Sequence, residues 1–372
     1  MQSFLKSYEI SMQTSTPVFI GSGDKIGKKE YVYERFENRV LIPDMEKMFQ
    51  FLRKKRLLGA YEDYLVNGWQ DLFFFFKDQN ITKKEYKTWM KVALPVADKD
   101  LINRNTKEIM TFIKDVYGMP YIPGSSIKGA LRTALLGDRL LRDRRLARDY
   151  EEKIDRARQD RRNRYLNGEN AGLDCSAFHR QRSEDVSLSN EVNDTLAGLI
   201  ISDSCSLRPE DMCICQKVDY TTDGISHRLP LLRECLKPGV IVRFNITIDT
   251  SICTFNFEDM LQALQNKYNN YCREFSDHFQ NAPKVRQTAE YPIMMLGGGI
   301  GFPSKTCIYE IVHGQAGKKM TGKIIDATVQ RGGKSHLRDV EKGASPRVLK
   351  CTVYDGKMMQ MGMCSIVKVA EQ

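Results

Sequence analysis

From Leu5 to Ile20 the chain is rich in Ile, Val, Thr and Tyr, and it then enters Gly21-Ser22-Gly23, the pattern of a strand feeding a glycine-bearing loop. Tyr31-Val32-Tyr33 and Val40-Leu41-Ile42 flank a polar stretch, Glu34 to Arg39, and predict a hairpin closed by Pro43. Asp44 caps a helix expected to run to about Lys55. Tyr61 to Tyr117 reads as mostly helical, broken at Leu94-Pro95 and stopped by Gly118-Met119-Pro120, and is expected to be an insertion between core strands. After Tyr121-Ile122, small residues gather in Pro123-Gly124-Ser125-Ser126, where a serine cap is expected to start a helix through Leu136.

Arg139 to Arg164 is an arginine-rich helical segment whose Asp and Glu offer ion pairs at spacings of three and four. Asn167 to Asn193 has the polarity of a surface excursion. Farther on, Thr195–Asp203, Met212–Val218 and Val240–Thr250 are strand-like and expected in one sheet, with a turn at Lys237-Pro238-Gly239. Phe257 to Phe279 is a long amphipathic helix, and Val348 to Val369 returns to short strands. Strands run together rather than alternating regularly with helices, which argues for an α+β fold over a doubly wound sheet. No fixed-period repeat is visible.

A length of 372 residues suits about two domains, or one core with large insertions. The net charge of +10 fits a polyanionic partner or an acidic surface without specifying one. Ten cysteines are scattered rather than paired at close spacings, so a reducing cytoplasm with thiols as small core residues is the simpler reading. The N-terminal stretch lacks the apolar block of a signal peptide, and the apolar run Leu72 to Phe76 is far shorter than a membrane span.

Three segments combine small residues with cations at the ends of apolar strands. In IPGSSIKGALRTALL a helix mouth offers free N–H groups, Ser125 and Ser126 permit close approach of a ribose-phosphate chain, and Lys128 and Arg132 stand one turn apart. The competing reading is a capped helix with solvated charges. Gly297-Gly298-Gly299-Ile300-Gly301-Phe302 follows an apolar strand and can turn backbone N–H groups toward phosphates. It has neither dinucleotide-binding nor phosphate-loop spacing, so nucleotide hydrolysis gains no support. Lys305 and a stackable Phe302 favour single-stranded RNA over a simple core turn. The first loop, GSGDKIGKKEY, adds Lys25, Lys28 and Lys29, in contact with an anion or simply solvated.

Catalytic chemistry finds little footing. The histidines at 179, 227, 278, 313 and 336 show no paired spacing, so a metal or acid–base set would need tertiary contacts, and no metal ligand, cofactor site or catalytic residue is assigned. Cys213 and Cys215 share a strand face without a second pair at ligand spacing. Asp203 and Ser204 end a strand and suit a buried hydrogen-bonding role as well as any chemistry.

TPVFIGSGDKIGKKEYVY, IPGSSIKGALRTALL, LPLLRECLKPGVIVRFNITID, LGGGIGFPSKT, SPRVLK and MGMC, in this order, resemble the RAMP proteins of CRISPR effector complexes. Within that family they resemble the subunit that caps the guide's 3′ end in the type III-A Csm complex. The resemblance implies a ferredoxin-like, RNA-recognition-motif-type core, in one or two such units. It divides the chain into an N-terminal half, 1–194, with helical insertions at about 44–117 and 138–194, and a C-terminal half, 195–372, carrying the glycine-rich loop. It places Gly21, Ser22 and Gly23 in the first RNA-facing loop, Ser125, Ser126, Lys128 and Arg132 at a phosphate-facing helix mouth, and Gly297, Gly298, Gly299 and Gly301 in the glycine-rich loop. The implied function is a non-catalytic, crRNA-binding cytoplasmic subunit in antiviral defence, supporting crRNA maturation. Its implied partners are the guide and single-stranded RNA, other Csm subunits and a trimming nuclease, with no membrane. Related subunits cut target RNA with a first-loop aspartate; here Asp24 falls too early and lysines stand in its expected region. A metal-independent endoribonuclease that processes guide precursors is the alternative.

Overall fold

The computed structural model describes residues 4–98, 108–157, 165–182, 184–285, 291–328 and 335–371. Its strands are β1 (Leu5–Thr14), β2 (Gly21–Gly27), β3 (Val32–Glu34), β4 (Arg39–Pro43), β5 (Met90–Pro95), β6 (Glu108–Phe112) and β7 (Leu199–Ile201). They continue with β8 (Met212–Thr221), β9 (Ser226–Leu236), β10 (Ile241–Asp249), β11 (Ile293–Met295), β12 (Val348–Tyr354), β13 (Lys357–Gln360) and β14 (Met363–Glu371). The helices are α1 (Met45–Lys54), α2 (Leu58–Asn67), α3 (Leu72–Asp78), α4 (Lys83–Tyr86), α5 (Gly124–Arg142) and α6 (Arg144–Arg156). After these come α7 (Asn167–Phe178), α8 (Phe257–Glu274), α9 (Ile308–Ile311) and α10 (Gly314–Thr328).

The fold is α+β, built on two main sheets and a small third one. The first sheet has the order β11-β14-β1-β10-β7, the second β13-β12-β8-β9-β6-β2, and the third β3-β4-β5. In β1 the buried side chains are Ile10, Met12 and Thr14, every second residue, as a strand with one face in the core requires. Ile10 lies opposite both Phe244 and Val369, so β1 pairs antiparallel on both edges. Along α5, Ile127, Leu131, Ala134 and Leu135 recur at helical spacing, and they join Ile10, Phe244 and Leu264 of α8 in one apolar cluster. Both long helices thus pack against the first sheet and each other.

Several expectations are corrected. Gly21–Gly27 is a strand, not a loop: it pairs with β6, with a register irregularity between Gly21 and Lys25 that absorbs the glycines. The region from Tyr61 to Tyr117 is helical only as far as α4 and a short 3-10 turn; Met90–Pro95 and Glu108–Phe112 are strands. Residues 99–107 of that region, and 158–164 of the arginine-rich segment, lie outside the described residues. Asn167–Phe178 is a helix rather than a polar excursion, and Thr195–Gly198 is a 3-10 turn before β7. The three strands expected to share a sheet are divided, β7 and β10 in the first and β8 in the second. Both sheets also take strands from either side of residue 194, which interleaves the two halves of the chain.

The start of α5 is set differently from a serine cap. Pro123 is the N-cap residue and makes no side-chain cap bond; the Gly124 N–H donates instead to Asp203 Oδ1 at 2.8 Å. A Cβ on Gly124 would lie 2.2 Å from the Ile201 carbonyl oxygen, so this glycine lets α5 approach β7. Asp203→Ala should lower the urea unfolding midpoint by the equivalent of about 1 kcal/mol, the usual cost of losing a helix cap, with Asp203→Asn retaining most of it. An unchanged midpoint in Asp203→Ala would show that water caps α5 equally well.

Candidate nucleic-acid interface

The glycine-rich loop leaves β11 and turns back across the crossover that carries the chain from β1 to β2. The Gly298 N–H donates to the Phe19 carbonyl at 2.6 Å, Leu296 N–H to Gly362 O at 2.8 Å, and Gly362 N–H to Pro17 O at 2.8 Å. Gly297, Gly299 and Gly301 have φ of +87°, +85° and +91°, a region L-residues rarely occupy. Space is equally decisive, because a Cβ on Gly297 would sit 2.3 Å from Phe19 O and one on Gly299 2.5 Å from Arg233 Nη1.

Beside this loop lies a groove of about 460 Å³, and all three sequence segments reach it. Ile20 and Gly21 come from the crossover, Ser126, Gly129 and Thr133 from one face of α5, and Gly297, Gly298 and Lys305 from the glycine-rich segment. Main chain and small side chains line most of it, so an extended backbone can lie close.

Charge is distributed differently from the expectation. Lys128 Nζ donates to Leu199 O at 2.8 Å, and burial pushes its ammonium below the usual lysine range. Arg132 donates from Nε to Asp174 Oδ1 at 2.9 Å and from Nη1 to Asp194 Oδ2 at 2.8 Å, with its guanidinium over the Phe178 ring. Both expected phosphate contacts are thereby committed to internal partners, as is the Gly124 N–H. In the first segment, Lys25 pairs with Glu108 at 2.8 Å, Lys28 donates to Trp69 O, and Lys29 donates to Leu65 O at 2.7 Å. Lys28 and Lys29 thus serve carbonyls at and beyond the end of α2, a favourable place for a cation. Ser22 Oγ shares a hydrogen bond with Thr111 Oγ1, and Gly23, with φ of +98°, has no atom near its Cβ position. Ser125 is exposed at the first turn of α5. Phe302, expected to stack on a base, packs instead against the apolar cluster under α6, α9 and α10.

At the groove and its glycine-rich loop, two cations have no counter-ion among the described residues. Lys305, at the groove, has no side-chain hydrogen bond or ion pair among the described residues, and partial burial together with the neighbouring Arg233 guanidinium lowers its pKa. Arg233, on β9, lies over the Phe19 ring at 5.2 Å and against Gly299; its Nε is buried with no partner among the described residues, and burial lowers its pKa too. Removing a guanidinium from water without a hydrogen-bond partner is costly, and an anion is the natural compensation. Sequence reasoning overlooked Arg233 because a single arginine in an apolar strand gives no local sign of what it faces.

Comparison with known proteins agrees with this architecture. A sequence profile described as the RAMP superfamily matches residues 11–298, and the chain belongs to that superfamily. It is 30% identical to the CRISPR system Cms protein Csm5 of Mycobacterium tuberculosis (strain CDC 1551 / Oshkosh), over 98% of each chain. It is also 28% identical to the protein of the same description from Enterococcus italicus, over 96% of each. Among solved structures, it superposes on a chain of the Csm-crRNA-target RNA ternary complex of a type III-A CRISPR-Cas system with a TM-score of 0.71 and 19% identity, covering 96% of this chain and 100% of that one. The crystal structure of T.onnurineus Csm5 gives a TM-score of 0.65 at 18% identity, with the same coverage.

Two glycines at the groove separate the demands of main chain and space. Gly297→Ala combines positive φ with the Phe19 carbonyl clash and should cost about 1–3 kcal/mol in chemical denaturation. Gly129→Ala, in the middle of α5 with nothing within 4 Å of its Cβ position, should gain about 0.5–1 kcal/mol. Equal stabilities for the two variants would contradict the geometry of the loop.

Proposed function

We propose that the chain is the crRNA-binding subunit that caps the 3′ end of the guide in a type III-A Csm complex, supporting guide maturation without cutting RNA itself. The observation that carries this reading is the pairing of a main-chain-lined groove with two cations, Arg233 and Lys305, that lack counter-ions among the described residues. A ribose-phosphate chain satisfies both features: it tolerates close approach to glycine, and its phosphates accept from guanidinium and ammonium groups. The relatives' description as Csm5 supports membership of the complex, and the crRNA and target RNA of the solved ternary assembly support those partners.

The topology supports a ferredoxin-like first unit. Strands β14-β1-β10-β7 are adjacent in that order, α5 connects β1 toward β7, and α8 follows β10. All ten cysteines are free, which supports residence in a reducing cytoplasm, and no described helix is long and apolar enough to cross a membrane. Contacts with other Csm subunits and with a trimming nuclease complete the role.

Filter binding of a single-stranded repeat RNA across a salt series tests this reading. Arg233→Gln and Lys305→Gln should each reduce the slope of log affinity against log salt by about 0.7, one phosphate contact on a single strand. Sequence preference should survive, since phosphates carry no base information. An unaltered slope in the exposed Lys305 variant would remove the groove from the interface. RNA recovered intact after incubation in EDTA is the expected companion result, and site-specific cleavage would overturn the non-catalytic assignment.

A further inference from the structure

At the end of α7, away from the groove-lining residues, the chain folds back so that residues of no paired sequence spacing meet. A ring nitrogen of His179 and carboxylate oxygens of Glu191 and Asp194 all lie within 4.8 Å of one another. His179 is buried, and its Nδ1 is 2.8 Å from the Leu188 carbonyl oxygen. A carbonyl only accepts, so Nδ1 carries the proton and the neutral ring keeps its lone pair on Nε2. That nitrogen has no partner among the described residues. Nor does a hydrogen bond or ion pair join His179 to either carboxylate, although they stand close by. An imidazole fixed through one nitrogen by a carbonyl is the usual way a protein presents the other nitrogen to a metal ion.

The carboxylates are prepared unequally. Asp194 accepts from Leu196 N–H at 2.9 Å through Oδ1 and from Arg132 Nη1 at 2.8 Å through Oδ2, which fixes its plane and leaves further lone pairs. Glu191 is exposed and makes no ion pair among the described residues, free to swing onto an ion. The backbone beneath them is already built: Arg180 N–H donates to Asn193 O at 2.9 Å, Asn193 Nδ2 donates to Ser187 O at 2.9 Å, and Thr195 Oγ1 donates to Phe178 O at 2.8 Å.

We propose that His179, Glu191 and Asp194 bind a divalent transition-metal ion that pins the segment bearing Glu191 to the end of α7. One imidazole with two carboxylates suits Zn²⁺ or Mn²⁺ better than Ca²⁺, which takes oxygen ligands. The ion would share Asp194 with Arg132 of α5, whose guanidinium is also held by Asp174. This site shares no residue with the RNA groove, so the outcome of the RNA experiments does not bear on it.

The test is titration of the intact, metal-stripped chain with Mn²⁺ followed by electron paramagnetic resonance, and with Zn²⁺ followed by calorimetry. The Zn²⁺ arm uses a Cys205→Ser background, because Cys205 is an exposed thiol. One saturable equivalent of at least one ion is expected, with a raised thermal midpoint. Glu191→Gln, a change of an exposed side chain, should weaken binding at least tenfold, and His179→Gln should abolish it. No saturable binding of either ion, or unchanged affinity in the Glu191→Gln variant, would overturn the site whether or not the buried His179 variant folds.

Discussion

The structure depends on a short main-chain seam between residues 14 and 20. Here the chain leaves the first sheet and enters the second, and its backbone bonds to several separate segments of the chain. Ser15 and Thr16 donate to Met363 O at 2.8 and 3.2 Å, Val18 exchanges hydrogen bonds with Leu236, and Phe19 O accepts from Gly298. Buried polar backbone must be paired, so this crossover has little freedom, and the strands it links are fixed in relation to one another. The glycine-rich loop is the counterpart of that constraint. A side chain at 297 would strike Phe19 O at 2.3 Å and one at 362 would strike Leu296 O at the same distance. The glycines therefore serve the seam first, and the exposed main chain of the groove follows from it.

Charge is then deployed in two distinct ways. Most cations near the predicted segments are absorbed by the fold: Lys128 by Leu199 O, Arg132 by two aspartates, and Lys28 and Lys29 by carbonyls around the end of α2. Arg233 and Lys305 are left over, and they stand at the loop. A guanidinium held over Gly299 by Phe19 is already ordered before any ligand arrives, which lowers the entropy cost of making a phosphate contact. The helical region α1–α4 is a separate matter. Its core of Met48, Leu52, Tyr61, Phe75, Phe76 and Trp89 forms a cluster of its own with Val32 and Leu41 of the third sheet, and Lys83 of α4 reaches back to the buried Glu34 of that sheet at 3.0 Å.

The elements with strong periodicity were legible in the sequence: β1, the β3–β4 hairpin, α1 behind Asp44, α5 and α8. The α+β class followed from them. β2 was not, because GSGDKIG has no apolar alternation and owes its strand geometry to pairing with β6. The strands β5 and β6 were hidden in a region read as helix, since tertiary pairing overrides propensity in short segments. For the site, the segments that meet at the groove were identifiable from small residues beside cations, and their convergence on one groove is a property of the fold. Which cations face outward was not legible: Lys128 and Arg132 give no local hint of Leu199 O, Asp174 or Asp194, and Arg233 looks like an ordinary strand residue. The His179 cluster escaped for the same reason, its members being joined by a turn of the chain rather than by spacing.

Photo-crosslinking of a 4-thiouridine-substituted repeat RNA to the intact chain, with adducts mapped by mass spectrometry, tests the central claim most directly. Adducts should concentrate on the peptides carrying Ile20–Gly21, Ser126–Thr133, Arg233 and Gly297–Lys305, and should weaken as salt rises. Adducts confined to the arginine-rich segment or to the helical region around α2 and α3, with those four peptides unlabelled, would contradict the assignment of the groove.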